Sequence, residues 1–281
     1  MIPHIRMMTL ADIPAGMRLK EAARWNQTGE DWRRFLRANS EGCFVAEWNG
    51  QVMGTVTTII YEDRFAWVGM VLVDPGFRGR GIGSALLVHA MDYLDATKIP
   101  CVKLDATPQG RGLYQRLGFV PEYEIERHIL ERGSAAARPD QVRRMEDIRS
   151  VLGMDRDVFG ADRRVLLSSV ASDAPEFVIT AQEGHSLSGY ALGRRGSRAD
   201  HLGPWVACSE AVARDILERF LHCSGRNTIF VDVVKDNPWA PALLAEKRFK
   251  FSRPLTRMWR GENAHPGRPD LLCAILGPEF G

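Results

Sequence analysis

Residues 74–87, "DPGFRGRGIGSALL", set four glycines and two arginines between an apolar run and a helical repeat. The residues before them, "FAWVGMVLV" (65–73), are a β-type run that Asp74-Pro75 breaks, and from Ser84 onward Leu86, Ala90 and Leu94 recur at helical spacing. Glycines at the start of a helix expose N–H groups that have no intrahelical partner, and the positive end of the helix dipole points the same way. This is the chemistry of an anion site, suited to a phosphate or pyrophosphate. A tight turn with solvated arginines is the plainer alternative, and the strand-to-helix setting separates the two. Neither common phosphate motif fits: no Lys follows the glycines, and Gly79-Arg80-Gly81-Ile82-Gly83-Ser84 carries Ser where a dinucleotide fingerprint needs its last Gly.

Composition bounds the class. A chain of 281 residues, 45% hydrophobic and 26% charged, is globular and long enough for roughly two domains. A formal net charge of +2 makes no electrostatic case for nucleic acid or membrane as a partner. The five cysteines, Cys43, Cys101, Cys208, Cys223 and Cys273, are far apart and form no C-x-x-C pair, so neither a disulfide framework nor a metal site is expected. With no apolar run of membrane-spanning length and no signal-peptide core, a cytoplasmic protein is expected.

The rest of the first half alternates element types. Residues from Asp12 to about Asn39 have helical character, and "CFVAEWNGQVMGTVTTIIYE" (43–62) reads as a hairpin turning at Asn49-Gly50. "CVKLDA" (101–106) is a further buried strand, and Thr107-Pro108 opens a helix with cap residue and N1 proline in their preferred places. Gly118 stops that helix, and a terminal strand pair is expected to close the unit by about residue 130. "RGSAAARPD" (132–140) is the linker candidate. Beyond it the order repeats: a helical region (about 141–171), a hairpin in 176–192, the run "ADHLGPWVA" (199–207), a helix at about 209–222, the strand "NTIFVDVV" (227–234), a helix, and a closing strand pair ending near Trp259. The expected division is 1–132, a linker at 133–140, and 141–281. The second half keeps the scaffold and lacks the loop, because "ACSEAVAR" (207–214) has no glycine cluster and no arginine pair.

The first half resembles the GNAT superfamily of acyl-CoA-dependent N-acyltransferases. The family signature [QR]-x-x-G-x-[GA] is met by Arg78, Gly81 and Gly83, and a second signature, Asn-x-x-Ala-x-x-x-Tyr before Gly-Phe, is matched by Tyr114 and Gly118-Phe119. Thr107 stands where Asn is usual and Gly110 where Ala is usual. The resemblance covers about 1–130 by motif and about 141–260 by order of elements. It implies an α/β fold of two tandem GNAT-like domains, each a central mixed, largely antiparallel sheet flanked by helices. It also implies acetyl-CoA as co-substrate, with its pyrophosphate on Gly79, Arg80, Gly81, Ile82, Gly83 and Ser84, Arg78 adding charge, pantetheine along the backbone of Val71, Leu72 and Val73, and Thr107 at the position of the family's Asn.

Tyr114 holds the family's position for a general acid, since a phenol of pKa about 10 matches a departing thiolate. The structural alternative is an aromatic that closes a helix onto the sheet. Asp105 is the first choice for a base, with Glu47, Glu62 and Asp63 as others, against which stand capping or loop-fixing roles. His89 and His128 are read as surface or satisfied core histidines, and Trp205, Trp239 and Trp259 as core or interface aromatics. The expectation is an N-acetyltransferase acting by direct transfer on a small-molecule or peptide amine, with an active first half and a degenerate second half needed for solubility or for the acceptor rather than for the coenzyme. A non-catalytic acyl-CoA sensor or scaffold is the alternative from another class.

Overall fold

The computed structural model describes residues 3–133 and 147–281. Of the expected linker, only Gly133 lies among them. The first half runs β1 (His4–Met7), α1 (Ile13–Ala22), α2 (Gly29–Asn39), β2 (Phe44–Trp48), β3 (Gln51–Tyr61), β4 (Phe65–Val73), α3 (Ile82–Ala96), β5 (Cys101–Ala106), α4 (Pro108–Arg116) and β6 (Val120–Glu131). The second half runs α5 (Leu152–Phe159), α6 (Arg164–Asp173), β7 (Ile179–Glu183), β8 (Ser186–Arg195), β9 (Asp200–Ala207), α7 (Glu210–Cys223), β10 (Thr228–Val234), α8 (Ala240–Glu246), β11 (Lys250–Gly261) and β12 (Leu272–Ala274). The hairpin turns where the sequence places it, with Asn49 at φ 49° and Gly50 at φ 75°, the two positive values a two-residue turn requires.

All twelve strands form one sheet in the order β1-β2-β3-β4-β5-β11-β6-β10-β12-β9-β8-β7. The expected terminal strand pairs are a correction: each is a single 12-residue strand. No Asn or Gly interrupts residues 120–131, and in 250–261 the only glycine is the last residue, so neither run can fold back as a tight hairpin. The partner comes instead from the other half. β11 pairs with β5 across Cys101–Ala106, and β6 pairs with β10 across Thr228–Val234. Each exchange is pinned by a buried ion pair. Arg257 on β11 holds both oxygens of Asp105 on β5 at 2.9 Å, and Arg127 on β6 holds those of Asp232 on β10 at 2.8 and 2.6 Å. Buried pairs of this kind fix register better than they add stability, because desolvation offsets most of the attraction.

Helices cover the sheet through their apolar stripes. α3 buries Leu86, Leu87, Ala90 and Leu94 against Val56, Ala66 and Leu104, and α7 buries Val212, Ile216 and Phe220 against Trp205 and Val231. A matching bulge marks each half. Met70 and Val71 together oppose the single residue between Thr55 and Thr57, and Gly203 and Pro204 oppose the one between Ala191 and Gly193.

After the bulges the halves differ. β4 and β5 pair only at Ala66↔Val102 and Trp67↔Lys103 and then separate. β9 and β10 separate likewise after Leu202↔Val231, but there β12 enters the gap, with Ala274 opposite both Trp205 and Val233. From β12 the chain crosses to the first half. Trp67 Nε1 donates to Pro278 O at 3.0 Å, Tyr61 Oη donates to Phe280 O at 2.9 Å, and the Phe280 ring stacks on Phe35 with centroids 4.7 Å apart. Ile275, Leu276 and Phe280 are fully buried.

Candidate active site

The glycine loop forms the mouth of α3. Gly79 and Gly81 take φ values of 74° and 80°, and Gly81 is the N-cap, with no side chain capping the first turn. The free N–H groups there face an open groove, since a Cβ added at Gly79 or Gly81 would meet no protein atom within 4 Å. The loop is tied down from behind: Asp74 is paired with Arg18, which also donates to Val52 O at 2.6 Å.

A groove of about 840 Å³ runs from this loop past Val71, Leu72 and Val73 to Thr107 and Tyr114. Arg78, Gly79, Gly81, Ile82, Gly83 and Ser84 line it, with the Ile82 side chain itself 2% exposed in the core. Arg80 is not among the lining residues; its guanidinium lies 5.0 Å from the Phe77 ring centroid. The bulge that re-aims β4 puts Met70 at φ 50°, a conformation costing a non-glycine residue on the order of 1 kcal/mol, and Thr55 Oγ1 donates to its carbonyl at 2.8 Å.

Tyr114 stands where this groove meets a second, smaller pocket of about 70 Å³ in the gap between β4 and β5. Burial pushes its phenol up to about 12, and no described residue hydrogen-bonds its hydroxyl. The two departures from the family signature both serve this helix. Thr107 caps α4, accepting from Gly110 N at 3.3 Å, and a Cβ at Gly110 would sit 2.8 Å from the Tyr114 ring, so glycine there makes room for the tyrosine.

Asp105 lines the smaller pocket, but both its oxygens are bonded to Arg257. Burial raises its pKa and the guanidinium pulls against that, leaving the carboxyl above the ordinary aspartate value. The other carboxylates considered lie elsewhere: Glu47 pairs with Arg6, and Glu62 pairs with Arg156 and borders a separate groove with Arg163 and Arg164. Asp63 is exposed and lines neither cavity. Sequence reasoning missed most residues that line this pocket, among them Trp25 from the α1–α2 connection, Arg127 from β6, Arg253 from β11, and Pro278 and Glu279 from the C-terminal segment. No local pattern marks the last four, because they reach the pocket through the strand exchange and the crossing of residues 275–281. Among the described residues no cluster of His, Cys, Asp and Glu could hold a metal, and no helix is long and apolar enough to cross a membrane.

A fold of two sheet-sharing repeats with a glycine-loop groove in the first defines an acyltransferase class. Models of the acetyltransferase (GNAT) family and of an acetyltransferase (GNAT) domain match residues 10–119 and 151–274, together most of the chain. The chain belongs to the GNAT family, with two tandem GNAT domains. It is similar to the holothin acyltransferase of a Pseudoalteromonas strain, 28% identical over 68% of this chain and 65% of that protein, so it spans just under two thirds of that relative's length. It is similar also to the uncharacterized N-acetyltransferase YitH of Bacillus subtilis, 23% identical over 72% of each chain. A solved structure described as an acetyltransferase from Pyrococcus horikoshii superposes with a TM-score of 0.81 at 25% identity, covering 99% of this chain and 95% of that one.

Proposed function

We propose that the first half moves the acetyl group of acetyl-CoA to a primary amine, directly, within a complex that holds donor and acceptor together. One observation carries this reading: an open groove beginning at a glycine-capped helix ends at Tyr114, where a second, smaller pocket with charged side chains in its lining begins. Two reactants entering from opposite ends would meet at that phenol. Acetyl-CoA supplies the thioester.

The chain's residues do the rest. The N–H groups of Gly79 to Ser84 and the Arg78 guanidinium take the pyrophosphate. Beyond the bulge, the unpaired backbone edge of Val71, Leu72 and Val73 accepts pantetheine as an added strand, and an N–H there faces the oxygen that gains charge. Thr107, its hydroxyl committed to the helix cap, contributes wall and not a side-chain amide contact. Tyr114 keeps its proton up to a pKa of about 12 and delivers it to the departing sulfur. A carboxylate in the pocket is suited to take the proton of the incoming amine, directly or through water. Of the two in the pocket, Asp105 has both oxygens engaged by Arg257, whereas Glu279 is bonded to Arg194 through one oxygen and leaves Oε2 without a partner. That difference favours Glu279 as base and Asp105 as the group that positions Arg257.

The five cysteines are free thiols, the state a reducing cytoplasm maintains, and we infer that compartment. The test is product formation: acetyl-CoA and a panel of small amines, read by mass spectrometry, should give N-acetylated product. Coenzyme binding without any product would support the sensor reading instead.

A further inference from the structure

The smaller pocket carries an imbalance of charge. Four charged side chains line it: Asp105, Arg127, Arg253 and Glu279. Three are compensated from outside the pocket, Asp105 by Arg257, Arg127 by Asp232 and Glu279 by Arg194. Arg253 has no ion pair among the described residues, and its Nε is buried without a hydrogen-bond partner. Burial, and next the nearby Arg127 guanidinium, hold this guanidinium down at about 10, against the weaker pull of Asp232 and Glu279, neither of which is ion-paired to it. A partly buried, unpaired guanidinium bordering a pocket is suited to receive an anionic group of a ligand.

The missing anion does not come from the coenzyme's phosphates on the reading above, because those lie at the glycine loop and none of residues 79–84 touches this pocket. Arg253 instead borders both cavities, beside Tyr114 and Thr107, where the acceptor's reacting end must sit. The opposite unmet group is Glu279 Oε2, an acceptor with no donor. An unpaired guanidinium and a carboxylate with one unbonded oxygen, both among the residues lining one pocket of about 70 Å³, are the complement of a small zwitterion. That volume is about two water molecules' share of the liquid, enough for an amino group, one carbon and a carboxylate, with any side chain directed outward.

We propose that the acceptor is an amine bearing a carboxylate next to its amino group, an amino-acid-type zwitterion, with Arg253 binding the carboxylate and Glu279 receiving the amine. Both residues belong to the second half, so the half without a glycine loop sets acceptor specificity for the half that has one. The inference rests on the acetyl-transfer reading above and deepens it.

The experiment measures kcat/KM for matched acceptors, each of several amino acids against its amide and its decarboxylated amine, with wild type, Arg253→Gln and Arg253→Lys. Wild type should prefer the carboxylate-bearing member at least 10-fold. Arg253→Gln should lower kcat/KM for that member by 10- to 100-fold, mainly through KM, and leave the amide and the simple amine nearly unchanged, while Arg253→Lys should keep part of the preference. Arg253 is half-exposed and unpaired, so the Gln variant should fold with an unaltered melting temperature. Equal losses for all three members would mean that Arg253 acts on the thioester end and would overturn the proposal. So would wild-type acetylation that ignores the carboxylate, which leaves the acetyl-transfer reading intact. A panel with no acetylated member would overturn that reading and this inference together.

Discussion

Replacing Asp105 by Asn separates a structural carboxylate from a catalytic one. Asp105 is fully buried beneath Arg257, whose guanidinium is 5% exposed, is bonded to both carboxylate oxygens, and lies 4.6 Å from the Trp67 ring. Asn keeps the shape but removes the charge and turns an N–H₂ toward one guanidinium nitrogen. The result is an uncompensated buried cation, which costs about 3–5 kcal/mol. At about 2–4 °C per kcal/mol for larger domains, the melting temperature should fall by about 6–20 °C. The double variant Asp105→Leu/Arg257→Met removes both charges and should recover most of the loss, since hydrophobic replacement of a whole buried pair is near neutral. Thermal unfolding at one pH, beside kcat and KM for each substrate, is the assay. An Asp105→Asn protein with wild-type melting and kcat reduced 10³-fold would refute the structural assignment and return Asp105 to the role of base.

Tyr114→Phe removes only a hydroxyl without a protein partner, so stability should change by no more than about 1 kcal/mol, while the single-turnover rate should fall on the order of 10²-fold with coenzyme affinity unchanged. The pH profile carries a sign: a proton donor must stay protonated, and with a pKa raised by burial to about 12, its ionisation should not lower the rate at any pH below that region. A falling limb near pH 10 that vanishes in Tyr114→Phe would contradict the raised pKa. Phe280→Ala deletes a fully buried ring stacked on Phe35 and should cost about 3–5 kcal/mol, seen as a lower melting temperature; an unchanged value would mean that residues 275–281 are not docked as described.

Local signals made most of this fold legible. β4 and β5 begin and end where the apolar runs do, the Asn49-Gly50 turn follows from two residues that tolerate positive φ, and the α4 cap follows from Thr107-Pro108. The repeat was legible as order and spacing, and the matched bulges at Met70-Val71 and Gly203-Pro204 support it. What depends on distant pairing was not. Residues 120–131 and 250–261 carry strand propensity but nothing that names their partner, so the exchange between halves and the Asp105–Arg257 bond across 152 residues had no local trace. The groove at the glycine loop was therefore readable from Arg78, Gly81, Gly83 and Tyr114. The adjoining pocket was not, because Arg253 and Glu279 arrive from the far end of the chain.

The second half retains the split between its parallel strands, but β12 fills it with the chain's own backbone at Leu272–Ala274, in the position the first half leaves open. The account therefore requires a single coenzyme site per chain, at the glycine loop. Calorimetric titration of coenzyme A into the wild type and into Gly83→Glu tests this directly, because Gly83 is helical, its Cβ would meet only Val73 at 3.4 Å, and the added carboxylate would repel phosphate without unfolding the helix. One site in the wild type, lost in Gly83→Glu at unchanged melting temperature, is the expected result. Two sites per chain, or one that survives the substitution, would contradict it.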